Sequence, residues 1–325
     1  MITTNSKEQD TIKEKVDDTE RQEALKLEEF KKEVLNDYRT AHLSRQMSYL
    51  ARKEVLNGKA KFGIFGDGKE VAQIAMAKQF KKGDWRSGYY RDQTFMLAAG
   101  MTTPKKFFAL LYGETRTELN PDNGGRSMNN HFGTRLIDDK GNWINQTNIK
   151  NTSSDTSPTG GQMPRLAGLA LASKIYRDNP ELEHLDKFSN NGNEVAFGTI
   201  GDSSTSEGLF FETMNAAGIL QIPMAVSVWD DGYGISVPVN MQTIKSSISK
   251  ALKGFEKQPD DENGILIFEA KGWDYAGLCQ MYEKGIARCR KEHLPVLFHV
   301  SEMTQPTGHS SSGSHERYKS EDRLQ

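Results

Sequence analysis

The chain has no long apolar run, little cysteine and almost no net charge. Each shortage excludes something. No stretch approaches eighteen consecutive apolar residues, so no segment reads as a membrane-spanning helix. Lysine and arginine number 42 against 44 acids, a formal charge of −2. No global basic field therefore invites nucleic acid or an anionic membrane. The N-terminal stretch "MITTNSKEQDTIKEKVDDTERQEALKLEEF" is polar and rich in acids. A signal peptide needs an apolar core and a transit peptide avoids acids, so neither is read there. The two cysteines, Cys279 and Cys289, lie ten positions apart in a predicted helix. Ten helical residues span about 15 Å, beyond disulfide reach. They read as packing residues in a reducing compartment. Together these shortages predict a soluble, cytoplasmic protein.

What is present is enough chain for a large core. A length of 325 residues allows one large α/β domain with a tail, or two domains. Residues 1–20 are polar without apolar period and are read as a mobile tail, with one domain over 21–325. From Gln22 to Leu56, apolar residues recur at helical spacing, which predicts one or two amphipathic helices. Shorter helices are predicted over Val71–Phe80, Thr94–Leu97 and Pro104–Tyr112. Residues 114–160 are dense in Asn, Gly, Ser and Thr and predict a long irregular region. Such loops are more often functional than idle. A helix rich in small residues follows over Pro164–Tyr176.

Strands and helices then alternate. Val195–Ile200, Met224–Val228, Ile265–Glu269 and Val296–Val300 read as buried strands, with helices over Glu207–Leu220 and Tyr275–Lys291. That order predicts a mostly parallel sheet with helices on both faces. In such sheets ligands bind beyond the carboxyl ends of the strands. Asp202 follows the first strand, Asp230 and Asp231 the second, and "TGHSSSGSHERY" the last. Asp202 with Asp231 suits a shared cation. Hard oxygens without nearby His or Cys favour magnesium or calcium, and magnesium fills its shell with water and phosphate oxygens. A helix start near Ser206 would add free N–H groups for a diphosphate. The bland alternative is that Asp202 caps its helix and "DDGYG" is an ordinary turn. "GIFGDGKE", Gly63–Glu70, imitates a P-loop, but Glu70 stands where a hydroxyl is needed and no buried strand precedes it. It reads as a turn before a helix.

Spacing adds to this. Gly-Asp, some twenty-six residues, then a paired acid or amide resembles the thiamine diphosphate motif. "GDSSTSEG", "NAAGILQIP", "DDGYGISVP", "YYRD", "TSPTGGQMPRLAG" and "TGHSSSG" resemble, in order and spacing, the α subunit of the 2-oxoacid dehydrogenase first component. The branched-chain type is the nearest in pattern. The resemblance implies the thiamine diphosphate-binding fold, with thiamine diphosphate and Mg2+ as cofactors. It implies oxidative decarboxylation of a 2-oxoacid, with acyl transfer to the lipoyl arm of an acyltransferase partner. A β subunit or fused β half would carry the catalytic Glu in an α2β2-type assembly. "HERYKSEDRLQ" reads as stopping mid-helix, which suggests a piece of a longer chain.

By resemblance, Asp202, Asp231 and the Tyr233 carbonyl hold the metal. Tyr90, Arg91, Gly201, Ser203 and Ser204 hold the diphosphate. Ser157 and Thr159 lie beside the rings, Ile235 is cofactor-binding, and His309 is both cofactor-binding and catalytic. Against these stand bland readings: Tyr90 in the core, Arg91 and Asp92 as a surface pair, His309 exposed. The chain also departs from the family. Asp230-Asp231 replaces Asn-Asn, Ser203 replaces Gly, and Trp229 stands where some relatives carry a phosphate-binding Arg. The extra carboxylate predicts a steep dependence on divalent metal, softened by Asp231→Asn. Gly161 lacks the hydroxyl that a potassium site near "TSPTGGQ" would need. Ser310, Ser311 and Ser312 resemble phosphorylated positions. Alternatives to the branched-chain reading are a pyruvate dehydrogenase type, another thiamine enzyme, or a non-catalytic diphosphate-binding or assembly module.

Overall fold

The computed structural model describes residues 6–309 and 315–324, with side chains over 26–309 and 315–322. Ser310, Ser311 and Ser312 lie outside the described residues. The chain opens on one 51-residue helix, α1 (Ser6–Leu56). It includes residues 6–20 of the segment expected as a tail. That segment has no Gly or Pro and is rich in Glu, Lys and Asp, so nothing in it stops a helix. The amphipathic period over Gln22–Leu56 is real, but Leu27, Phe30, Leu35, Tyr38 and Leu43 stay exposed. The C-terminal end of α1 enters the body, where Met47 and Ala51 pack with Phe65, Phe107 and Leu111.

Next come α2 (Glu70–Ala77), β1 (Trp85–Ser87), α3 (Gln93–Ala98) and α4 (Pro104–Leu111). Thr103 caps α4 by accepting from the Lys106 N–H, with Pro104 in the first turn. The irregular region that follows holds a two-residue strand, β2 (Asn151–Thr152). Then come α5 (Gln162–Asp178), β3 (Ala196–Gly201), α6 (Gly208–Leu220) and β4 (Met224–Trp229). A small hairpin, β5 (Tyr233–Gly234) and β6 (Val237–Pro238), precedes α7 (Ile248–Ala251). The chain continues through β7 (Leu266–Lys271), α8 (Tyr275–Glu292) and β8 (Val296–Ser301). Both cysteines are free and lie on α8, as their spacing implied.

Six strands form one parallel sheet in the order β2-β1-β3-β4-β8-β7. All residues of β3 and β4 are buried, as expected of strands covered on both faces. Phe197, Ala225 and Trp229 face α2, α3 and α8, while Ala196, Ile200, Met224, Val226 and Val228 face α5, α6 and α7. The alternation follows the two-residue period of a strand. Each large side chain so buried contributes about 1.5–3 kcal/mol. From β1 the chain runs out to β2 on one side, and from β3 to β4 on the other. The β1/β3 gap is therefore the point of reversal where such sheets bind ligands. Among the described residues no helix is long and apolar enough to cross a membrane.

Candidate functional site

Four strand ends feed one cleft of about 350 Å³. Tyr89, Tyr90 and Arg91 follow β1, and Gly201, Asp202, Ser203 and Ser204 end or follow β3. Asp231, Tyr233, Gly234 and Ile235 follow β4, and His309 follows β8. Thr159 completes the wall, with Phe62, Ile64, Lys69 and Trp229. Of the residues expected to bind the cofactor, only Ser157 is not part of that wall. Its hydroxyl instead meets His131 Nε2 at 3.0 Å and faces Met128. Ser157 lies before the Gly160-Gly161 turn that starts α5. That turn brings Thr159 in and leaves Ser157 outside.

Of the bland readings, those of Asp202 as a cap, Arg91 as a surface pair and His309 as exposed fail on geometry. Tyr90 does pack against the core, and the N–H groups of Gly232 and Tyr233 donate to Asp230 and Asp231 within the turn. Asp202 makes no side-chain cap, and α6 begins only at Gly208, after a 3-10 turn over Ser203–Ser206. The helix start expected near Ser206 is thus displaced by two residues. Asp202 Oδ2 is buried and without a hydrogen-bond partner. Burial, then the charges of Asp231 and Asp230, push the Asp202 carboxyl well above its usual range. A buried acid that resists ionisation beside two others is a place for a cation. Arg91 is buried and does not pair with Asp92, which instead takes Arg86 at 2.7 Å. The Arg91 terminal nitrogens donate to the carbonyls of Phe65 and His309, each at 2.7 Å. Arg91 therefore enters the cleft while joining the loops on either side of it. His309 is largely buried and its Nε2 lies 3.2 Å from Asp231 Oδ1. Burial lowers the imidazole below its ordinary value, against the pull of Asp231.

Asp230 points away from the cleft. Its Oδ2 takes His299 Nε2 at 2.8 Å, and His299 Nδ1 meets the Ser249 hydroxyl at 2.8 Å. Asp231 is the carboxylate that faces in. Burial would raise it, but the charge of Lys69 and the hydrogen bond from His309 hold it well below the usual carboxylate range. Trp229 is fully buried, with its indole nitrogen 3.4 Å from Asp92 Oδ1. It offers the cleft a ring and no phosphate ligand.

Two cleft residues, Ile64 and Lys69, come from the stretch read as an ordinary turn, and Lys69 is the charged one. "GIFGDGKE" forms no P-loop: no strand precedes it, and Glu70 takes both Arg45 nitrogens at 2.7 and 2.8 Å. Yet Lys69 Nζ reaches Asp231 Oδ2 at 2.8 Å. Gly68 makes the turn possible at φ +89°, where a Cβ would collide with the Thr304 carbonyl. Among the described residues no three His, Cys, Asp or Glu side chains cluster as a metal cage. Two carboxylates with room for water and phosphate oxygens fit magnesium, which seldom takes more from protein. The residues present therefore fit a metal-bound diphosphate.

The parallel sheet, with an acid pair and basic groups gathered at its reversal point, is an α/β fold whose candidate site lies at the strand ends. The chain belongs to the family described as "Dehydrogenase E1 component", which matches residues 38–325. It is 28% identical over 310 residues to the 2-oxoisovalerate dehydrogenase α subunit of Bacillus subtilis, covering 94% of this chain and 81% of that one. It is 26% identical over 267 residues to the pyruvate dehydrogenase E1 component α subunit of Acholeplasma laidlawii, covering 82% and 63%. With the mitochondrial 2-oxoisovalerate dehydrogenase α subunit of Mus musculus the identity is 23% over 293 residues, covering 90% and 57%. The aligned chain thus spans little more than half of the mouse relative.

Proposed function

We propose that the chain is the α-type, thiamine diphosphate-binding half of a 2-oxoacid dehydrogenase first component. Its substrate is a branched-chain 2-oxoacid, and the acyl group passes to the lipoyl arm of an acyltransferase partner. The observation that carries the reading is the convergence of Asp202, Asp231, Tyr90, Arg91 and His309, from four strand-end loops, on one cleft of a chain in this family. Asp202 and Asp231, with the Tyr233 carbonyl, would hold magnesium. The backbone N–H groups of Ser203 and Ser204 would face the diphosphate, with the Arg91 charge behind it. Thiamine diphosphate, when bound, supplies the electron sink for decarboxylation. His309, kept neutral by burial, can take or give a proton at Nε2 at the mouth of the cleft. A β partner would contribute the catalytic Glu, so the chain alone is expected to be inactive. The similarity to 2-oxoisovalerate dehydrogenase over 94% of the chain favours the branched-chain substrate.

The test is reduction of an artificial electron acceptor by the chain assembled with a matching β half, thiamine diphosphate and magnesium. Branched-chain 2-oxoacids should outrun pyruvate and 2-oxoglutarate in kcat/KM. Pyruvate as the best substrate would reassign the enzyme. No turnover with any of them would leave a binding module without catalysis.

A further inference from the structure

We infer that Lys69 is the built-in counter-ion of Asp231, a positioning residue that cancels the extra negative charge this carboxylate brings to the metal side of the cleft. The inference rests on the proposed metal-diphosphate site. The Lys69 side chain is only 2% exposed. Its ammonium donates to Asp231 Oδ2 at 2.8 Å, to Gln305 Oε1 at 2.9 Å and to the Thr304 carbonyl at 3.1 Å. An ammonium has three protons, so its contact list is full and it acts on the cleft by charge rather than by gripping phosphate.

The surroundings hold it in place. Both oxygens of Asp67 accept from the loop after β8, through the Thr307 N–H, the Thr307 hydroxyl and the Gln305 amide. Glu70 is buried and engaged by Arg45 and the Gly68 N–H, and Asp67 is engaged by Thr307 and Gln305, so neither acid of the loop competes for Lys69. The formal sum is simple. With a metal ion bound, Asp202 and Asp231 would bring two negative charges and Lys69 would return one. The result equals a site with one carboxylate and one neutral amide. Removing either partner alone leaves a buried charge unbalanced, and removing both restores the balance. The steep metal dependence expected from Asp231 alone is thereby offset, and Asp231→Asn should harm the site rather than soften it.

The test uses the assembled enzyme and Mn2+ as the probe, read by electron paramagnetic resonance without cofactor. Lys69→Met uncovers a carboxylate and should bind Mn2+ more tightly, by about threefold or more. Asp231→Asn leaves the ammonium facing the metal and should bind it at least about tenfold more weakly. The double variant should return to within about threefold of the parent. General damage would weaken binding in both single variants, so the opposite signs identify charge compensation. Unchanged or weaker Mn2+ binding in Lys69→Met overturns the inference. If Lys69→Met does not fold alone, the comparison is Asp231→Asn with the double variant. Tighter binding in the double supports the pair, and no tightening overturns it. Calorimetry with thiamine diphosphate at saturating magnesium separates the two levels. A parent enzyme that binds none overturns the diphosphate reading and this inference with it. Binding by the parent without the opposite Mn2+ shifts overturns the counter-ion alone.

Discussion

Ile235 holds a backbone conformation that β-branched residues avoid. Its φ is +56°, and it is 62% exposed beside the cleft. It sits in the two-residue turn between β5 and β6, where Tyr233 pairs with Pro238 and Gly234 with Val237. Such turns favour Gly, Asn or Asp, and strain of this kind costs about 1–3 kcal/mol. Replacing Ile235 with Gly should raise the urea midpoint of the cofactor-free chain, equivalent to about 1 kcal/mol. The same change should weaken thiamine diphosphate binding a few-fold, because the apolar surface over the site is lost. A fall in both quantities would mean that the turn is unstrained. Asp202 and Asp231 were legible because their chemistry matches their place after a strand, and Arg91 and His309 only through the motifs that hold them, YYRD and TGHSSSG. Lys69 was not, because its partner lies 162 positions away and the local motif points to a different chemistry. Ser157 lies outside the cleft wall, since a motif fixes order along the chain and not the side of a turn.

At the scale of elements, strands were legible in proportion to how apolar they are. β3, β4 and β8 are covered on both faces and read as continuous apolar runs. β1 and β2 were missed because Trp85-Arg86-Ser87 and Asn151-Thr152 are short and mostly polar. Arg86 is fully buried, and it binds these elements together. It donates to Asp92 at 2.7 and 3.0 Å, to Thr152 at 2.9 Å and to Asp155 at 3.1 Å. Arg86→Met would leave two buried carboxylates unmatched, at about 3–5 kcal/mol in urea unfolding. At the far end of α8, His293 closes the helix in the left-handed conformation, at φ +53°. Burial lowers its imidazole, although its Nε2 meets the Gly192 carbonyl at 2.9 Å. The unfolded chain then binds the proton more readily than the folded one. This part of the stability is complete above about pH 6.5 and is lost as pH falls through the lower folded value. His293→Asn keeps the left-handed backbone and should flatten that acid limb of a melting-temperature profile.

At the scale of the whole molecule, the cleft joins loops from β1, β3, β4 and β8, so filling it should stabilise the entire sheet. Thiamine diphosphate with magnesium at a hundred times its Kd should add about 2.7 kcal/mol to the assembled enzyme. That is roughly 5 °C in Tm for a chain of this size. A chelator should reverse the gain, and either component alone should give much less. The sheet's connectivity was legible as a parallel α/β pattern. Its order was not, because strand order is decided by partners far apart in sequence.

That order also sets a schedule for synthesis. Trp85 of β1 pairs with Ala196 of β3, 111 positions later (196 − 85). At about 5–20 residues per second, a newly made β1 waits roughly 3 to 13 s for β2, 66 positions on (151 − 85), and roughly 6 to 22 s for β3 to leave the ribosome. A strand edge left open in that interval is a template for the wrong chain. Arg86 stands at the centre of this three-residue strand, and a charged guanidinium makes it a poor template. The side chain that locks the finished sheet is thus also the one that guards the unfinished one.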